Sequence, residues 1–253
     1  MPKLDVDLVE FPLNLEYLEA EFFLWGSLGY GLDKFAPELA DSGWPPIGAQ
    51  IAKLSPLIRD VIIQFGFQEV GHLRAIKDTL TGFPRVVLNL SRESFAIVMD
   101  DAFRHPLKPP FDAYANDINY LLASYVIPYV GLTGYAGVNP KLQSSTAKRL
   151  GREKAEPYGI TVEEFTNKIS KLSNKLGRHE IKDEGHNMKS KVGVEGRIRG
   201  NVLAGDKYSM AYDRTPKKIL RMVYGSGKRN KSGGFYPKGV EGRIAKSYLR
   251  HEH

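Results

Sequence analysis

The 253-residue chain contains no cysteine, which excludes disulfides, thiolate metal sites and cysteine nucleophiles. Any metal would have to be held by histidine and carboxylate. The chain also lacks the Gly-x-Ser-x-Gly of a serine hydrolase and the spaced Gly-Lys-Ser/Thr of a phosphate loop. Gly225-Ser226-Gly227-Lys228 lies in a Gly-rich loop and satisfies neither pattern. No internal repeat or low-complexity tract is visible. The N-terminus, MPKLDVDLVE, has no basic segment followed by an apolar core, so no signal peptide is expected. Charge is missing altogether from Ile118–Pro140. That is close to the roughly 20 residues that span a membrane. However, Asn119, Ser124, Thr133, Pro128, three glycines and four tyrosines mark it as a buried core helix, and no membrane span is expected.

What is present is an ordinary globular composition, 42% hydrophobic and 26% charged. A disordered protectant would be polar and poor in aromatics, so this chain must act folded. Its net charge of +7 is unevenly divided. Residues 1–140 carry 10 Lys and Arg against 17 Asp and Glu, while residues 141–253 carry 26 against 12. The basic residues form no run longer than three and are scattered between turns. They read as a solvated surface facing an acidic partner domain, and no nucleic acid is expected as a partner.

The pattern predicts a mainly α protein. A first helix is expected from Leu13 to Tyr30, after Pro12 and before Gly29-Tyr30-Gly31. A loop follows over Asp33–Lys53. A second helix should start at Ser55-Pro56 and run to Leu80, and a third, short one should run from Ser91 to Phe103. A long apolar helix is expected over Tyr114–Val138 and a short one over Ser145–Glu156. Thr161–Leu176 has a capping box, Thr161 with Glu164, and an apolar stripe of Phe165, Ile169, Leu172 and Leu176. A hairpin is expected near Gly200–Tyr212, then a helix from Thr215-Pro216 to Tyr224, and loop beyond. Two units are expected: a helical domain over 1–177 and a basic, Gly-rich extension over 178–253.

The chemistry-bearing residues lie on the first two helices. Ile58, Ile62, Phe65, Glu69, His72, Ile76 and Leu80 fall at steps of 3 and 4, one helical face. Glu69 and His72 therefore sit inside an apolar stripe. Glu-x-x-His puts a carboxylate and an imidazole on one side of a helix, as in bundles that hold di-iron or di-manganese centres. In the stretch LNLEYLEAEFF, Glu16 supplies the matching carboxylate one turn into the first helix. Glu16, Glu69 and His72 are thus candidate metal ligands. A buried Glu–His hydrogen-bonded pair without metal is the other reading. Glu19 and Glu21 are expected to be solvated or ion-paired. His179, His186, His251 and His253 are expected on a solvated surface.

The stretches LNLEYLEAEFF, RDVIIQFGFQEVGHLRAIKDT, ASYVIPYVGLTGY, NKISKLSNKLG, GNVLAGDKYSMAYDRTPKKILRMVYGSG and GGFYPKGVEGRIAKSY resemble the plant desiccation-related protein family. The resemblance covers Asp5 to Tyr248. It implies a ferritin-like helical bundle, a role in dehydration stress and, from the ferritin-like motifs, iron as the metal of Glu16, Glu69 and His72. It also implies an extracellular location, whereas the N-terminus read alone leaves an intracellular one. In the family a long helix precedes the equivalent of Tyr158. Here only GREKAEP, Gly151–Pro157, occupies that place, too short for a bundle helix of about 20 residues. The expectation is a bundle lacking most of its fourth helix, with Thr161–Leu176 as a candidate to fill the gap. The apolar face left open should be covered by a second copy or another partner. The long apolar helix over Tyr114–Val138 offers only Asp117 and Asn119, so the second half of a di-metal site is missing. No catalytic residue and no firmly bound cofactor are expected. A non-enzymatic protective role is the leading expectation, with a metal-dependent oxidoreductase or iron-binding protein as the alternative.

Overall fold

The computed structural model describes residues 6–7, 10–135, 154–178 and 214–249. The first long helix, α1 (Leu13–Leu28), ends at Gly29, whose φ of 79° closes the helix in the left-handed conformation that glycine adopts most readily. Every residue from Leu13 to Ser27 is buried except Trp25, which is half-buried. This helix is surrounded on all sides, which is why apolar residues occur around its whole circumference.

Two single-turn helices follow, α2 (Leu32–Phe35) and α3 (Pro37–Ala40), within the segment expected to be loop. Four residues cannot show a 3.6 period, so neither helix has a sequence signature. Next comes α4 (Pro56–Thr79), with Pro56 in its first turn. The pair is antiparallel, since Glu16 meets His72 while Phe23 meets Phe65, their ring centroids 5.6 Å apart. The helices cross closely at Gly66, where an added Cβ would stand 3.2 Å from Leu24 Cδ2. The buried face of α4 is Ile62, Gly66, Glu69, Val70, Leu73 and Ile76. It is turned toward Gly66 and Leu73 relative to the stripe expected from sequence, which leaves Phe65 and His72 on its rim.

α5 (Arg92–Phe103) is capped by Ser91 Oγ, which accepts from Ser94 N at 3.3 Å. α6 (Asp117–Tyr135) is the long apolar helix, and its Tyr120 ring stacks on Phe22 of α1 with centroids 4.5 Å apart. No helix among the described residues is long and apolar enough to cross a membrane. Of the helix expected at 145–156 only the last residues are described. There β1 (Lys154–Ala155) pairs antiparallel with β2 (Ile160–Thr161), and Pro157 in the connecting turn keeps the segment from being helical. The hairpin expected at 200–212 lies outside the described residues.

α7 (Val162–Gly177) begins at the expected cap, with Thr161 Oγ1 accepting from Glu164 N at 3.2 Å. It does not fill the place of a fourth bundle helix beside α4. Its apolar stripe is occupied elsewhere: Phe165 packs on Phe103 and Phe111, and Ser170 bonds Tyr125 of α6. α8 (Pro216–Val223) packs against α7. A last helix, α9 (Arg243–Leu249), lies where only loop was expected, being too short for its periodicity to stand out.

The C-terminal segment closes on the start of α1. Tyr236 donates to Asn14 O at 2.9 Å. Asn14 Nδ2 donates to Glu241 O at 3.0 Å, and Asn14 Oδ1 accepts from Glu241 N at 2.9 Å. These bonds fix the first turn of α1 two residues from Glu16.

Candidate metal centre

Three of the residues singled out in sequence come together. His72 Nδ1 lies 3.0 Å from Glu16 Oε2 and 2.9 Å from Glu69 Oε2. One potential ligand atom from each of Glu16, Glu69 and His72 lies within 4.8 Å of the others. Glu16 is 2% exposed and Glu69 7%, whereas the His72 side chain is 41% exposed. The imidazole thus closes the pocket from its rim.

Glu19 belongs to the same cluster. It is not solvated: it is buried and faces Glu16 and Glu69. Burial pushes its carboxyl well above the usual range, and the charges of Glu69 and Glu16 push it further. Glu69 is raised to about 8, first by burial and then by its hydrogen bond to Glu16 and that group's charge. His72 is raised to about 9, chiefly by its hydrogen bond to Glu16, against the opposing effect of burial. Three carboxylates around one imidazole leave an excess of negative charge that a protein can relieve by taking up protons or a cation. The i, i+3 spacing of Glu16 and Glu19 was the signal that could have placed Glu19 here.

Tyr236, fully buried, stands near enough to Glu19 and Glu16 that their charges add to the effect of burial in raising its phenol. It sits in a Gly-rich stretch 220 residues downstream of Glu16, where nothing in the sequence points to the site.

Glu21 is ion-paired, as expected for one of the two alternatives. Its partner is the fully buried Arg85. Arg85 Nη2 also donates to Asp33 Oδ1 at 2.8 Å and Gly43 O at 2.9 Å, and Nε donates to Trp44 O at 2.7 Å. This second cluster ties the segment over 32–44, with α2 and α3, to α1. Sequence reading missed Arg85, which falls between helices in a stretch with no periodicity.

The donor set Glu16, Glu69 and His72 suits a first-row transition ion, since imidazole and carboxylate both bind such ions and the site offers excess negative charge. Among the described residues it is the one group of three or more His, Asp or Glu with this spacing, so it amounts to half of a two-metal arrangement.

An antiparallel helix pair with Glu on one member and Glu-x-x-His on the other defines the carboxylate-bundle class. A family model described as a ferritin-like domain matches residues 4–151. The chain is 54% identical to the desiccation-related protein PCC13-62 of Craterostigma plantagineum over 265 residues, covering 96% of this chain and 85% of that protein. It is 47% identical to the ferritin-like catalase Nec2 of Nesocodon mauritianus over 267 residues, covering 97% of this chain and 86% of that protein. No solved structure matches. The chain belongs to the ferritin-like family and, within it, to the desiccation-related proteins. Since 96% of 253 residues is about 243, an alignment of 265 leaves about 22 positions without a counterpart here.

Proposed function

We propose that this chain is a dehydration-stress protein that acts as a folded, metal-binding ferritin-like domain, with Glu16, Glu69 and His72 as the ligands of one transition ion such as iron. The observation that carries the reading is the convergence of two buried carboxylates and a rim imidazole within 4.8 Å on an antiparallel helix pair. Glu16 and Glu69 orient His72 by accepting from its Nδ1 side, and α1 and α4 exclude water from both carboxylates. In this reading the role is protective and does not involve turnover, because only half of a two-metal ligand set is present among the described residues. Anaerobic titration of the purified chain with ferrous ion tests it. Stoichiometric binding that disappears in Glu69→Ala supports it, and sub-stoichiometric binding unaffected by that change removes it.

A second reading is an enzyme that decomposes hydrogen peroxide, favoured by the 47% identity to a protein named as a ferritin-like catalase. A bound iron or manganese ion would supply the redox chemistry. Oxygen evolution from hydrogen peroxide by the metal-loaded chain, lost in Glu69→Ala, would establish it. Loaded protein that evolves no oxygen would rule it out.

A further inference from the structure

Helix α4 carries a second face that the described residues leave partly open, although Phe65 on it touches Phe23 and His72 bonds Glu16 and Glu69. Val61, Phe65, Gln68, His72, Ala75 and Thr79 follow one another at steps of 4, 3, 4, 3 and 4. That spacing is the seam by which one helix packs lengthwise on another at a shallow angle. The face carries no side chain of fixed charge, and all six residues are exposed or half-buried. Val61 is 40% exposed, Phe65 41% and Leu57, one turn beyond, 73%. Apolar side chains left open in register along several helical turns mark a contact surface. His72 stands within this seam, so whatever covers the seam also meets the rim of the metal centre.

We propose that the seam is covered by α4 of a second copy of this chain, running antiparallel about Gln68. The second copy thereby brings its own Glu69-x-x-His72 pair to the first. Three observations select this occupant. The seam is nearly self-complementary about Gln68: Phe65 of one copy falls opposite His72 of the other, and Val61 opposite Ala75. No helix of the described chain takes that place, since α7 is packed on α5, α6 and α8. The site lacks a second Glu-x-x-His, and among the described residues α4 is the element that carries one. Here the symmetric copy supplies it in trans. Pairing brings Glu16, Glu19 and Glu69 of both copies close together, with only the two His72 imidazoles as local cations. A divalent cation therefore strengthens association, and association strengthens cation binding by the same factor.

The inference rests on the metal reading above, and its test separates the two. The full chain, 28.3 kDa, is examined by sedimentation velocity and native mass spectrometry without metal and with manganous ion. The expected result is a manganese-promoted dimer. Val61→Lys, two turns from Glu69 on the exposed seam, should give a folded monomer that binds manganese at least tenfold more weakly. Leu57→Lys is the second variant, and far-UV circular dichroism confirms that each is folded. A wild-type chain that binds manganese stoichiometrically yet stays monomeric overturns this inference and leaves the metal reading intact. A dimer that persists in both variants overturns it as well, by placing the interface elsewhere. A chain that neither binds manganese nor associates overturns both.

Discussion

One helix, α1, carries two buried carboxylate clusters little more than a turn apart, and they are resolved in opposite ways. Glu21 meets Arg85, a permanent cation whose guanidinium is fully buried and also bonded to Asp33, Gly43 O and Trp44 O. Glu16 and Glu19 meet Glu69 and a single His72, a cation that can leave by losing a proton. The first cluster is closed: its buried carboxylate is matched by a permanent cation, its other carboxylate, Asp33, is half in solvent, and its geometry fixes the segment over 32–44. The second is open: it holds more carboxylates than cations, and its imidazole faces the rim. A buried site whose charge is unbalanced by its own residues is where a ligand of opposite sign is expected.

The largest way to break the contrast is at Arg85. Arg85→Met strands Glu21 in the interior, and urea unfolding should show a loss of about 3–5 kcal/mol. Glu69→Ala should do the reverse, leaving the metal-free fold near wild-type stability. Removing an outer-shell partner of a metal costs about 10–100-fold in affinity, so this loss of a ligand should weaken ferrous binding more than about 100-fold by titration calorimetry.

The pH profile sharpens the contrast further. His72 is raised from its ordinary value to about 9, so its contribution is complete below about 6.5 and lost as pH rises through 9. Glu69 is raised to about 8, so from about 4.5 upward the unfolded chain ionises first and stability falls further. Both groups make the folded state bind more protons. The urea midpoint of the metal-free chain should therefore decline from pH 5 to pH 9, and His72→Gln should flatten that decline. Metal binding should release protons over the same range, visible as a calorimetric heat that depends on the buffer. The smallest effect is expected at Glu19. Burial and the charges of Glu69 and Glu16 hold the Glu19 carboxyl well above the usual range, so Glu19→Gln removes a group that disfavours the folded state as pH rises, and the urea midpoint of the metal-free chain should increase slightly at pH 8.

The open cluster was legible in sequence because its residues obey local spacing. Glu69 and His72 are three apart on one helix, and Glu16 lies in a helix whose ends Pro12 and Gly29 announce. The caps at Ser91 and Thr161 were legible for the same reason. The closed cluster was not, since Arg85 is 64 positions from Glu21 in a segment without period, and only the folded chain brings them together. Glu19 was misjudged because an exposed and a buried glutamate look alike when a helix is apolar all round. α2, α3 and α9 were missed because four to seven residues are too few to display a helical repeat.

The bonds between Asn14 and Glu241 join residues 227 positions apart. At the usual rate of synthesis, roughly 10–50 s pass between the emergence of one from the ribosome and the arrival of the other. Throughout that interval a helix greasy on every side waits without its final fastening, so α1 reaches its finished setting only when synthesis of the chain is nearly over.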